Sequence, residues 1–348
     1  MAKVRIGLIG LGFMGTTHYD IYGKMANAEV VAIADVDPVK RSGDISAVSG
    51  NIDNGAGGKK LDFSAIKVYD NGFDLIKNPD VDIVDICVPT PWHADLVVAA
   101  LQAGKNVMAE KPLARDLKQA AAIEAALKGA KGQLNVGMCV RAWPEYRYAY
   151  EQFRAGAYGK LRSAVLRRIS PTVDSPTAHW NNWFMKGELS GGALLDMHLH
   201  DTDFICYLLG RPKAVTSVGL NITSDSATDQ VITNYHFDDG TMVVAEGNWA
   251  CAPNVPFEMS FQLICEKATV RLMQEGFKIY WNDGRVEAPK VEGGTGWDVE
   301  LNYFVDCVAK GVKADKFQTF ESVLDAFKVV MAEQDSVNAD GKRVEIKY

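Results

Sequence analysis

Short apolar runs alternate with longer amphipathic stretches over the first part of the chain. Val4 to Ile9, Val30 to Ala34, Ile66 to Tyr69, Val81 to Val88, Asn106 to Ala109 and Gln133 to Val136 read as strands. Between them, the stretch after the first run, Phe73 to Lys77, His93 to Ala103 and a segment ending near Lys128 read as helical. Gly104 stands where a helix C-terminus wants glycine, and Asp116 with Gln119 three residues on resembles a capping box. Strands alternating with helices predict an α/β fold built on a doubly wound parallel sheet. Gly50 to Lys60, rich in Gly, Asn and Lys, reads as a surface loop.

Beyond Arg141 the pattern changes. After a helix at Tyr146 to Ala155 and a strand at Leu161 to Ile169 comes an aromatic-rich loop, Thr172 to Gly187. Gly191-Gly192 precedes a helix ending near Gly210, and Val215 to Ile222, Val231 to Phe237, Thr241 to Trp249, Phe257 to Cys265 and Ala268 to Leu272 follow as strands. Asp239-Gly240 is a hairpin signal. Strands joined by turns predict a largely antiparallel sheet, closed by helices near Val299 to Lys310 and Phe320 to Asn338. The expected organisation is a first domain over 1–137 with a Rossmann-type sheet and an α+β domain over 138–348.

The first strand runs into a G-x-G-x-x-G cluster at Gly10, Gly12 and Gly15, and the second ends at Asp35. In such a unit the first glycine allows the sharp turn, the second lets backbone approach a pyrophosphate, and the third lets the helix pack on the sheet. Phe13 and Met14 open the helix, whose N-terminus offers N–H groups and the positive end of its dipole to phosphates. A carboxylate at Asp35 accepts hydrogen bonds from both ribose hydroxyls, whereas a 2'-phosphate would meet like charge. NAD is therefore the expected cofactor, with NADP not excluded because Arg41 stands close by.

Composition narrows the partners. The chain has 348 residues, 47% apolar and 23% charged, with a formal charge of −7. No Lys or Arg run forms the footprint of a nucleic-acid or membrane-surface binder, and no apolar run is long enough to span a bilayer. A small molecule is the expected partner. Six scattered cysteines without metal spacing suggest buried thiols in a reducing compartment, and with no leader pattern at the N-terminus the expected location is the cytoplasm.

Chemistry concentrates in two places. Pro89-Thr90-Pro91 and Glu110-Lys111-Pro112 each end a strand of the first sheet at its carboxyl edge, where such folds bind ligands. Lys111 reads either as a solvated lysine or as an ammonium beside the nicotinamide; His93 reads either as a helix-start cap or as a cofactor neighbour. The second place is Gly191 to Gly210. Asp196 and His200, four apart on a helix, share a face and form either a proton-handling pair or a satisfied structural pair. Asp196, His198 and His200 also spell D-x-H-x-H, but the flanking leucines follow a helical period and no further ligands cluster nearby, so no metal is expected. Trp143 reads as core, whereas Trp180 and Trp183 are candidates for a substrate wall, since aromatic faces suit sugar rings. His18 and His236 read as structural or superficial.

Taken in order, GLGFMG at 10 to 15, Asp35, TPWHA at 90 to 94, AGKNVMAEKPLA at 103 to 114, Arg141, GGALLDMHLHDTDF at 191 to 204 and NADGKRVEI at 338 to 346 resemble the glucose-fructose oxidoreductase, inositol dehydrogenase and MocA family. The resemblance implies a catalytic triad of Lys111, Asp196 and His200. It implies cofactor contacts from Gly10, Gly12, Phe13, Met14, Gly15, Asp35, Pro89, Thr90, His93, Glu110 and Lys111, and substrate contacts from Lys111, Arg141, Trp180, Asp196 and His200. The implied reaction is hydride transfer between a sugar, cyclitol or sugar derivative and NAD. Relatives that use bound NAD for glycoside cleavage, or a non-enzymatic NAD sensor, are the alternatives. An antiparallel sheet often leaves one face uncovered by helices, so a homo-oligomer, a dimer or tetramer, is the expected assembly. Two departures stand out: His198, where many relatives carry glycine, and the longer loop from Gly50 to Lys60.

Overall fold

The computed structural model describes residues 3–50, 59–172, 180–223, 225 and 227–348; the side chains of Trp180 and Asn181 and most of the Gly50–Lys60 loop lie outside the described residues. The chain forms two compact units.

The first unit gathers the chain up to Gly137 together with Trp297–Phe320. Its elements are β1 (Val4–Ile9), α1 (Phe13–Lys24), β2 (Ala28–Ala34), α2 (Pro38–Arg41), β3 (Lys67–Tyr69), α3 (Gly72–Ile76), β4 (Ile83–Ile86), α4 (His93–Gln102), β5 (Asn106–Ala109), α5 (Leu117–Lys128) and β6 (Leu134–Val136). The strands pair in parallel in the order β3-β2-β1-β4-β5-β6. That order reverses between β1 and β4, and this switch point is where open α/β sheets bind ligands. Asp116 caps α5 by accepting from the Gln119 amide at 2.8 Å. One core cluster joins Ile6, Ile21, Tyr22 and Ile83 to Leu301, Phe304 and Val305, so a helix counted with the second domain in the sequence completes this core.

The second unit holds α6 (Pro144–Arg154), β7 (Leu161–Pro171), α7 (Gly187–Ser190), a π-helical turn at Leu194–His198, α8 (Leu199–Leu209), β8 (Ala214–Leu220), β9 (Gln230–His236), β10 (Met242–Cys251), β11 (Glu258–Cys265), β12 (Ala268–Met273), β13 (Gly276–Trp281) and β14 (Val286–Glu287). Then follow α9 (Gly296–Lys310), whose body belongs to the first unit, α10 (Phe320–Asn338) and β15 (Val344–Glu345). The sheet order is β14-β13-β12-β11-β7-β10-β9-β8-β15. Every pairing is antiparallel except β10 with β7, which is parallel. Alternation along β9 puts Val231, Thr233 and Tyr235 inside, with Ile232 and Asn234 outside. No helix among the described residues is long and apolar enough to cross a membrane.

Candidate active site

In the first unit, Gly10 takes a φ of +93°, and a Cβ there would lie 2.4 Å from the Cys87 carbonyl oxygen. A Cβ on Gly15 would lie 1.8 Å from the Gly10 oxygen, so only glycine lets α1 start this close to the turn. Gly12 begins α1 with no side-chain cap, and a Cβ built on it would face open space. The helix thus presents its dipole end, without an acid in the first turn, beside a backbone that a phosphate can approach. Asp35 is held at the end of β2: one carboxylate oxygen accepts from the Leu11 amide at 2.7 Å, the other from the Asp37 amide at 2.8 Å. Arg41 folds back, donating to the carbonyls of Asp35 and Val36.

Two further turns close the same carboxyl edge. Pro89 is half-buried, and the buried Thr90 hydroxyl has no partner among the described residues. The glycine turn, a carboxylate poised for ribose and an orphaned hydroxyl at the switch point together fit a dinucleotide. His93 is fully buried at the start of α4; its Nδ1 lies 2.7 Å from the Pro112 oxygen and its Nε2 2.7 Å from the Val88 oxygen. Each ring nitrogen lies within hydrogen-bond distance of a carbonyl, so His93 braces the two turns. Burial pushes its pKa down against those two carbonyls. Glu110 is buried and Lys111 half-buried, the Lys111 amide donating to Glu110 at 3.1 Å.

In the second unit, every residue from Gly191 to Ile205 is buried except Asp196 and His200, which are half-exposed. The sequence pattern predicts one α-helix here; the structure inserts the π turn, a feature frequent at functional sites. His198 is fully buried, with its Nε2 3.2 Å from the Tyr235 hydroxyl and 3.4 Å from a Glu333 carboxylate oxygen. Gly247 makes room for it: a Cβ there would stand 2.7 Å from the His198 Cβ. His198 is therefore committed to the sheet and to α10.

Arg141 turns inward within the second unit. Its side chain is 1% exposed and grips Asp203 through Nε at 2.8 Å and Nη2 at 2.6 Å, while Nη1 donates to the Ser322 hydroxyl at 2.7 Å. A sequence motif does not reveal that the guanidinium turns inward to a buried acid seven residues beyond the D-x-H-x-H run's start; tertiary packing alone decides it. His18, which reads as structural or superficial, lies fully buried among Asp85, Cys87 and Glu110. His18, Asp85 and Cys87 have the donor types of a metal site, but they already bond to one another.

The first unit thus carries the glycine turn, Asp35 and Lys111 at one sheet edge, and the second carries Asp196 and His200, both partly buried, on an otherwise buried run. Comparison with known proteins gives the family: residues 4–138 match the oxidoreductase family with an NAD-binding Rossmann fold, and residues 146–271 match the GFO/IDH/MocA C-terminal domain. The chain belongs to the GFO/IDH/MocA family of NAD-binding oxidoreductases. It is 31% identical over 221 residues to levoglucosan dehydrogenase of Pseudarthrobacter phenanthrenivorans, covering 63% of this chain and 54% of that one. The matched segment thus spans about half the length of that relative. Inositol 2-dehydrogenase 3 of Saccharopolyspora erythraea is 27% identical over 324 residues, covering 88% of this chain and 86% of that one. In fold, the chain superposes on a levoglucosan dehydrogenase in complex with NADH and levoglucosan with a TM-score of 0.82 at 21% identity, covering 99% of this chain and 100% of the other.

Proposed function

We propose that the protein is an NAD-dependent dehydrogenase that oxidises a carbinol carbon of a sugar, cyclitol or sugar derivative. The observation that carries this reading is the exposure of Asp196 and His200 alone along a buried run, in a family whose relatives include levoglucosan and inositol dehydrogenases. Bound NAD supplies the hydride acceptor. His200 takes the hydroxyl proton as general base, Asp196 orients the ring or the substrate, and the Lys111 ammonium stabilises the developing alkoxide. Gly10, Gly12, Phe13, Met14 and Gly15 hold the pyrophosphate, and Asp35 holds the adenosine ribose.

The assembly is a homo-oligomer, formed through the outer face of the second sheet. Val165, Val218, Leu220, Ile232, Met242 and Ile264 are all exposed there, more apolar surface than a solvated face needs. A cytoplasmic location accords with six cysteines that form no disulfide.

The test is NADH formation on a panel of inositols, aldoses, anhydrosugars and sugar acids, with Lys111→Ala and His200→Ala alongside. Wild-type turnover on some member, lost by roughly 100-fold or more in both variants with NADH affinity kept, is the expected result. Wild-type NADH binding without turnover on any member would sink the dehydrogenase reading.

A further inference from the structure

His18 and Tyr22, one turn apart on α1, both reach Asp85 in the middle of β4. The Tyr22 hydroxyl donates to Asp85 Oδ2 at 2.8 Å, and His18 Nδ1 stands 2.8 Å from the same oxygen. Across the ring, His18 Nε2 lies 3.2 Å from Glu110 Oε1, an ion-pair distance at which neither atom completes a hydrogen bond, and the other Glu110 oxygen accepts the Lys111 amide. His18 and Asp85 are 0% exposed and the Glu110 side chain 7%. Each ring nitrogen therefore faces a carboxylate in a region that water does not enter.

This arrangement restricts where protons sit. A carboxylate receiving the Tyr22 hydroxyl accepts at Oδ2, so Nδ1 of His18 carries a hydrogen and donates. A bare lone pair on Nε2 would then face the lone pairs of Glu110 3.2 Å away, a repulsion that a proton on Nε2 relieves. Two buried carboxylates with no cation between them would be costly, whereas one imidazolium serves both. Burial opposes charge on the ring, while the Asp85 carboxylate against Nδ1 pulls the His18 pKa above its ordinary value. The Cys87 thiol, 3.5 Å from Asp85 Oδ1, is pushed up by burial and stays protonated.

Gly137 belongs to the same device. A Cβ there would meet the Glu110 carboxylate at 3.0 Å, so the absent side chain is what lets Glu110 lie back towards His18. The Pro112 oxygen is held independently by His93. The Glu110-Lys111-Pro112 turn is thus fixed at both ends by a buried histidine.

We propose that His18 is the positioning residue for Lys111: an imidazolium bridging Asp85 and Glu110, it keeps the Glu110 carboxylate where its second oxygen takes the Lys111 amide. The same contact ties α1, whose start is the glycine turn, to the turn that carries the lysine, so the phosphate-binding and reacting ends of the unit keep one spacing. No ligand contact is assigned to His18. The consequence for turnover rests on the dehydrogenase reading above; the protonation state of the ring does not.

The test has two arms. Ring nitrogen-15 NMR of histidine-labelled wild type, with His18→Asn assigning the resonance among six histidines, reads the ring without any substrate. Both His18 nitrogens should be protonated at pH 8 and stay so when NADH is added. A neutral tautomer would overturn the imidazolium bridge whatever the enzyme's substrate proves to be. In the second arm, His18→Asn should lower kcat on the order of 100-fold, the cost of an ångström-scale misplacement, while the NADH dissociation constant moves by less than about 5-fold. Adding Glu110→Gln to His18→Asn removes the uncompensated carboxylate and keeps an acceptor for the Lys111 amide, so part of the lost kcat should return. Unchanged kcat in His18→Asn, or purely additive losses in the double variant, would refute the positioning role. If His18→Asn does not fold, the NMR arm on wild type still decides the bridge.

Discussion

Arg141 offers the sharpest test of how a buried ion pair holds the second unit. Its guanidinium and the Asp203 carboxylate are each 1% exposed, joined by two parallel hydrogen bonds, with the Tyr207 ring 5.0 Å from the guanidinium carbon. Burial pushes the Asp203 carboxyl above its ordinary value despite the pull of Arg141, so desolvation is as large as the attraction it opposes. Removing one partner should therefore do far more harm than removing both. Arg141→Met leaves a buried carboxylate without its cation and should cost about 3–5 kcal/mol, as should Asp203→Leu with the roles reversed. The double variant leaves mainly the Ser322 hydroxyl short of a donor and should cost no more than about 2 kcal/mol. At about 2–4 °C per kcal/mol, each single change should lower the thermal midpoint of the second unit by roughly 6–20 °C. Urea and thermal unfolding followed by tryptophan fluorescence and circular dichroism would read all four proteins as a cycle. Additive losses, or a single variant within about 1 kcal/mol of wild type, would remove the structural role. A raised KM with undiminished stability would return Arg141 to the substrate contacts.

Three further outcomes are expected. Gly15→Ala forces a methyl to within 1.8 Å of the Gly10 oxygen, so the turn must open and NADH binding, read by nucleotide fluorescence, should be lost; retained affinity would contradict the fit of the turn to a pyrophosphate. Asp35→Ser removes a charged acceptor for the ribose hydroxyls, which should weaken NAD binding by roughly 10-fold or more while easing entry of NADP, and an unchanged ratio of the two affinities would refute the role. Because the folded pKa of His18 is raised, its contribution to stability is complete below about pH 6.5 and is lost as pH rises through the folded value, so the gap in thermal midpoint between wild type and His18→Asn should narrow on going from pH 7 into the alkaline range.

The strands and helices of the first unit follow from local pattern with little error. Its apolar runs are buried on both faces, and the helical stretches between them carry one apolar face each, so period and length suffice. The second sheet was legible as mostly antiparallel, but two of its properties were not. β7 and β10 run parallel because a chain segment between them enters the sheet elsewhere, and β14 and β15, two residues each, are too short to stand out. The helix near Val299 to Lys310 was legible as a helix, but not as part of the first unit's core, since Leu301, Phe304 and Val305 would suit any apolar surface.

The amino-acid sequence by itself determined what depends on neighbours along the chain: the glycine turn, the acid ending β2, and the prolines that stop β4 and β5 at the sheet edge. Those are consequences of backbone sterics and of two- and 3.6-residue periods, which need no partner from elsewhere. Tertiary structure decided the fate of each buried polar group. Arg141 turned to Asp203, His93 to two carbonyls, His198 to Glu333 and His18 to Asp85 and Glu110 because a desolvated donor must find an acceptor, and which acceptor lies within reach is settled only when distant strands and helices pack.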